Sequence, residues 1–112
     1  MQFINKKLSK SETLSLRKEF GDYIKLTVDV ANKWVVAGSE LHADGERLLL
    51  ERGSKQDNIW GGGINFVDKQ IDTTAVLNLR PRFGNDSLEI LKVEIRKEFR
   101  AIIKEYFSKL WQ

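Results

Sequence analysis

The segment from Asn78 to Asn85 carries the side chains whose types are best suited to binding chemistry. It places Arg80 and Arg82 between two amides and ends in a Gly-Asn turn. A guanidinium can donate two parallel hydrogen bonds to a carboxylate or phosphate, and a glycine turn can offer free backbone N–H groups to an anion. The segment therefore predicts recognition of a small anion. The alternative is that the two arginines form ordinary surface ion pairs of little energy.

A second segment, from Gln56 to Gly63, combines polar side chains, an aromatic ring and three glycines. Successive glycines can form an anion-binding nest, and Trp60 can stack on a planar ligand. A phosphate loop of the Walker kind is absent, because Gly63 is followed by Ile64 instead of the Lys-Ser/Thr that opens a helix. The equally favoured alternative is a structural glycine bulge beside a core tryptophan.

The only histidine, His42, lies between Glu40 and Asp44 and suggests a base or a metal ligand. Hydrolytic zinc sites use three protein ligands. Glu40 and His42 share a face only in a strand, whereas Glu40 and Asp44 share one only in a helix. No metal and no cofactor are therefore predicted, and a histidine in a cap or loop is the favoured interpretation. His42 is nevertheless the one side chain that can shuttle a proton near neutral pH.

The composition predicts one soluble domain spanning residues 1–112, with 41% hydrophobic and 31% charged residues. The absence of cysteine excludes disulfides, thiolate metal sites and cysteine nucleophiles. No apolar run approaches the roughly 18 residues of a membrane span, and the first residues do not resemble a secretory signal. The prediction is a cytoplasmic protein with no membrane partner.

The net charge of +3 arises within the first 20 residues. A dedicated nucleic-acid domain more often spreads its basic face over several elements, so nucleic-acid binding is a disfavoured alternative. The bases that would carry it are Lys6, Lys7, Lys10, Arg17 and Lys18.

Hydrophobic periodicity predicts the elements that hold these residues. A capping box at Ser9 and Glu12 begins a helix that Gly21 ends. Strict alternation over residues 23–30, a turn, and the apolar run 34–38 predict an antiparallel hairpin. Residues 46–52 predict a short helix with Asp44 as N-cap, although a strand there is the rival interpretation.

The second half of the chain is predicted to hold two strands and a long helix. The strands cover residues 59–67 and 71–80, and the second of them would place Asn78 and Arg80 on one face. The helix covers residues 91–110, where Phe107 and Trp111 lie off its apolar stripe and suggest a homodimer contact. The predicted fold is α+β, with an antiparallel sheet of about four strands and helices on one face, in the order α-β-β-α-β-β-α.

Three phrases of the sequence resemble those of a family of small uncharacterised prokaryotic proteins. They are Gly38–Asp44, Leu49–Gly61 and Asn78–Asn85, and the resemblance extends over roughly residues 25–110. It implies a single small intracellular domain from a bacterium or archaeon. It carries no activity, so whether the protein is an enzyme stays open.

Taken together, the residues predict a polar site that binds a phosphate or a carboxylate. The anion would be neutralised by Arg80 and Arg82 and oriented by Asn78 and Gln56. The ring of Trp60 would form one side of the pocket. Glu40 would join the site from the turn that also carries His42 and Asp44. Asn85 would join it from the end of the segment that carries the two arginines. The alternatives are an interaction or homodimer module without catalysis, and nucleic-acid binding through the basic N-terminal region.

Overall fold

Five antiparallel strands form one sheet, with the strand order β1-β3-β2-β4-β5. The computed structural model describes residues 1–112 and shows an α+β fold with three α-helices. The strands are β1 (Gln2–Ile4), β2 (Tyr23–Asp29), β3 (Trp34–Ala37), β4 (Ile59–Asn65) and β5 (Gln70–Asp72). The helices are α1 (Lys10–Phe20), α2 (His42–Glu51) and α3 (Val93–Tyr106). No helix combines the length and apolar character that crossing a bilayer requires.

The predicted hairpin and the first helix are confirmed. Ser9 and Glu12 form both halves of the capping box at the start of α1, and Gly21 ends the helix with a φ of 95°. In the hairpin, β2 pairs with β3 in a register that sets Val28 opposite Val35. The alternating pattern of β2 therefore predicted the strand and the face that joins the larger core, but Thr27 and Asp29 on its other face are buried as well.

Helices cover both faces of the sheet, so the prediction of helices on one face was wrong. Phe99 of α3 joins the larger core with Leu26 of β2, whereas Leu49 of α2 packs on the other face with Val36 and Ile59. The physical reason is that β3 and β4 are apolar on both sides. A strand that is buried on both faces needs cover on both.

The glycines of β4 let neighbouring groups approach the sheet closely. A Cβ on Gly62 would collide with the carbonyl oxygen of Asp72 and lie 2.7 Å from Phe99 Cζ. A Cβ on Gly61 would lie 3.0 Å from His42 Cδ2. All three glycines pair with β2 inside the sheet, so they make room for packed side chains and form no anion-binding nest.

The predicted strand over residues 71–80 was wrong beyond Asp72, where β5 ends. The chain leaves the sheet there and forms short 3-10 turns at Val76–Asn78 and Pro81–Phe83. The Asn78 side chain takes the place of a strand beside β4, because its amide accepts from Gly61 N and donates to Gly61 O. The count of about four strands also missed β1, which is only three residues long.

Two helix predictions also need correction. Residues 46–51 are helical, so the rival interpretation of a strand there was wrong. The helix α2 begins at His42, however, so Asp44 lies in its first turn instead of capping it. The long helix is α3, which ends at Tyr106 and is followed by a 3-10 turn. Phe107 is 0% exposed and belongs to the core, so it is not available for the predicted homodimer contact.

Candidate functional site

A cleft of about 430 Å³ opens between α2 and the chain that follows β5. Its polar lining comes from three parts of the sequence: Glu46 on α2, Gln56 in the turn before β4, and Arg80 and Arg82 beyond β5. The structure therefore brings together three of the residues that the sequence predicted for the site. Glu46 joins them unpredicted.

Arg80 is a buried cation without a carboxylate partner. Only 8% of the residue is exposed, and its guanidinium lies 4.4 Å from the Trp60 ring centroid and 5.0 Å from that of Phe83. Nη1 donates to Gln56 O at 2.8 Å and Nη2 donates to Ile59 O, while Nε is buried without a partner. Burial lowers the pKa of Arg80, and the Glu46 carboxylate partly opposes that shift.

Arg82 is exposed at the rim of the same cleft. Its Nη2 donates to Gln56 Oε1 at 2.9 Å, and its guanidinium carbon lies 5.0 Å from the Phe83 ring centroid. The other guanidinium hydrogens of Arg82 donate to no protein group. The only ion pairs in the chain join Arg17 to Asp22 and Arg47 to Asp44, so neither arginine of the cleft is neutralised by an acid in contact.

Glu46 adds a negative charge on the α2 side of the cleft. The residue is half-buried, and its Oε2 atom is buried without a hydrogen-bond partner. The sequence carries a signal for this position once α2 is known to begin at His42. His42, Gly45, Glu46 and Leu49 then follow the spacing of one helix face, and that face is directed at the sheet.

The two predicted asparagines hold the backbone around the cleft. Asn78 is 0% exposed, and its amide binds both backbone groups of Gly61 and the carbonyls of Thr73 and Leu88. Asn85 is 2% exposed and bonds to four backbone groups, from Asn78 to Leu91. Their amides are occupied, so both residues fix the shape of the segment that carries Arg80.

Trp60 lies behind Arg80 instead of in the cleft. It is 3% exposed and belongs to the larger core cluster. Its ring face supports the Arg80 guanidinium by a cation–π contact, which favours the charged form inside the protein. Its Nε1 is buried without a partner.

His42 lies in a separate pocket of about 470 Å³ with Tyr23, Lys25 and Thr74. Its Nε2 lies 2.7 Å from Gly62 O, so Nε2 carries the proton and Nδ1 is the free acceptor. Burial lowers the pKa of His42, which keeps the ring neutral at pH 7. Leu77 lines both pockets, so the two adjoin, but His42 does not line the arginine cleft.

Glu40 does not join the arginine cleft either. It is exposed, and its backbone carbonyl accepts a hydrogen bond from Lys25 Nζ. No group of three or more histidine, cysteine, aspartate and glutamate side chains lies close enough to hold a metal ion.

Over residues 2–106 the chain matches a family described as a protein of unknown function, DUF5674. The chain belongs to this family. The expected membership of an uncharacterised family is thus confirmed. No curated protein and no solved structure matches the chain.

The DUF5674 description names no activity, so the only guide to function is the set of side chains that line the cleft. Arg80 supplies a positive charge that its two carbonyl contacts hold in place. Arg82 supplies donors that can turn toward a ligand, and Gln56 supplies an amide beside them. This arrangement suits the recognition of an anion, since guanidinium groups bind oxyanions with directional hydrogen bonds.

Proposed function

We propose that the protein binds a small anionic ligand, a carboxylate or a phosphate, in the cleft around Arg80 and Arg82. One observation carries the proposal: two guanidiniums line a single cleft, one of them is buried, and neither contacts a carboxylate. Burying a cation without a counter-ion costs free energy. An anion in the cleft would recover part of that cost.

The two arginines have different roles in this proposal. Arg80 donates both Nη groups to backbone carbonyls, so it acts on the ligand mainly through its charge. Arg82 is exposed and holds only Gln56, so it can donate directly to the anion. Gln56 Oε1 would then lose the hydrogen bond that it accepts from Arg82, and the Gln56 amide could turn to offer its N–H₂ group to the ligand.

Arg80 also has a structural role that complicates its use in a test. Its two carbonyl contacts tie the turn before β4 to the segment beyond β5, and its ring contacts involve the core residue Trp60. A substitution there would disturb folding as well as binding. Arg82 is the better position, because its only hydrogen bond is to an exposed side chain.

The test is a thermal-shift and calorimetric titration of the full chain with acetate, isocaproate, sulfate and inorganic phosphate. A ligand that binds only the folded state raises its melting temperature. We expect at least one of these anions to do so, and Arg82→Gln to weaken that binding about tenfold, the usual scale for a charge-assisted hydrogen bond.

Arg100→Gln is the matched control. It removes the same charge from the exposed side of α3, on the sheet face opposite α2, so it should leave the affinity unchanged. No stabilisation by any of the anions, or equal losses in both variants, would refute the proposal.

A further inference from the structure

Glu46 sets a condition on what the cleft can bind. The carboxylate lies in the same cleft as the two arginines, and a purely anionic ligand placed there would be repelled by it. Its Oε2 atom is shielded from solvent and accepts no hydrogen bond from the protein. A buried acceptor without a donor costs free energy, so a carboxylate that turns this oxygen toward a donor on the ligand would recover that cost.

The charges of the cleft also stay apart. No nitrogen of Arg80 or Arg82 lies within 4.0 Å of a Glu46 carboxylate oxygen. The glutamate comes from α2 and the arginines from the chain beyond β5, so two separate elements present opposite charges to one cavity. Such a cavity is complementary to a molecule that itself carries both signs.

We infer that the ligand is a small zwitterion of the α-amino acid class. Its carboxylate binds Arg82 in the field of Arg80, and its ammonium group donates to Glu46. This assignment rests on the proposed anion site and narrows its ligand class. The Glu46 carboxylate can present either oxygen, because the terminal torsion of glutamate is soft.

The rest of the cleft favours an aliphatic side chain. Its remaining lining consists of Leu77, Leu79 and Pro81, which offer apolar surface and no hydrogen-bonding side chains. Leucine is therefore the probe. Isocaproate keeps its carboxylate and branched chain but lacks the ammonium group, whereas isoamylamine keeps the ammonium group but lacks the carboxylate.

The experiment measures the three affinities by calorimetry for the wild type and for Glu46→Gln. We expect the wild type to bind leucine at least tenfold more tightly than either analogue. Glu46→Gln should weaken leucine binding about tenfold and should strengthen isocaproate binding, because the repulsion is gone. A variant that merely misfolds would lose both ligands, so opposite changes for the two ligands identify a direct electrostatic role.

Glu51→Gln is the matched control, since Glu51 is exposed at the end of the same helix and should change neither affinity. Equal binding of leucine and isocaproate, unchanged by Glu46→Gln, would overturn the zwitterion and leave the anion site standing. Binding of isoamylamine that is as tight as that of leucine would also overturn it. If neither carboxylate binds and the inorganic anions also fail, the proposed function falls as well.

Discussion

The protonation of His42 depends on four influences that act in different directions. Burial lowers its pKa most, the hydrogen bond with Gly62 raises it, Lys25 lowers it and Asp72 raises it. The net result is a pKa below the ordinary 6.5. Unfolded chains then bind this proton more readily than folded ones, so the contribution of His42 to folding stability falls as the pH drops below about 6.5.

Because His42 is the only histidine, its imidazole signals in an NMR titration are free of overlap from other histidines. We expect a midpoint below 6.5 in the wild type. Lys25→Gln should move that midpoint upward and Asp72→Asn should move it downward, since each removes one charge near the ring. Lys97→Gln, an exposed change on α3, should not move it. A midpoint at or above 6.5 would contradict the buried setting of the ring.

The sequence predicted part of the candidate site because core packing does not require arginine and glutamine side chains in these segments. Arg80, Arg82 and Gln56 were predicted as neighbours, and they line one cleft. Glu46 was missed because its face of α2 is recognisable only when the helix start is known. Asn78 could not be assigned from sequence, since an amide that binds a ligand and one that binds buried backbone look the same there.

At the scale of elements, local patterns predicted the helices and strands well. They did not predict where a side chain from a distant part of the chain replaces the pairing of a strand. The alternation in β2 and the capping box of α1 are short-range signals, and both elements form as expected. The alternation after β5 gave the same signal, yet no strand continues there. The amide of Asn78 already satisfies the backbone of Gly61, and nothing in a local pattern reveals that competition.

The glycine run of β4 makes a prediction for this element. Gly62→Ala should lower the free energy of unfolding by about 3 kcal/mol, because the new methyl group meets the Asp72 carbonyl and the Phe99 ring, and neither can move freely. Gly84→Ala is the comparison. Gly84 has a φ of 77° with open space around it, so that change should cost only about 1 kcal/mol of backbone strain.

Urea denaturation of both variants measures the two costs. Equal costs for Gly62→Ala and Gly84→Ala would show that close packing does not require glycine at position 62. Equal costs would also indicate that β4 can move away from α3. We do not expect such a movement, because Phe99 of α3 is fully buried.

At the scale of the whole molecule, hydrogen bonds between distant parts of the sequence tie the end of α3 to the segment before α1 and to the hairpin turn. Leu8 N donates to Tyr106 O, so the segment before α1 is tied to the end of α3. Tyr106 Oη donates to Lys33 O at 2.7 Å, which links α3 to the hairpin turn. These long-range bonds couple elements that no local pattern could have placed side by side.

We therefore propose that residues 1–112 unfold as a single cooperative unit, and the three tryptophans allow a direct test. Trp34 packs with the cluster on the α2 face, Trp60 lies in the larger core, and Trp111 packs against that core near the C-terminus. Their fluorescence and the far-UV circular dichroism should follow one transition in urea, since a two-state protein gives coincident curves for all probes. Variants that keep one tryptophan each, with phenylalanine at the other two positions, separate the three regions.

The contradicting outcome is a two-step unfolding. If the variant that keeps Trp34 loses its fluorescence signal at lower urea than the variant that keeps Trp60, and the dichroism shows two steps, the α2 face unfolds independently. The candidate cleft would then belong to the less stable part of the protein, because α2 supplies Glu46.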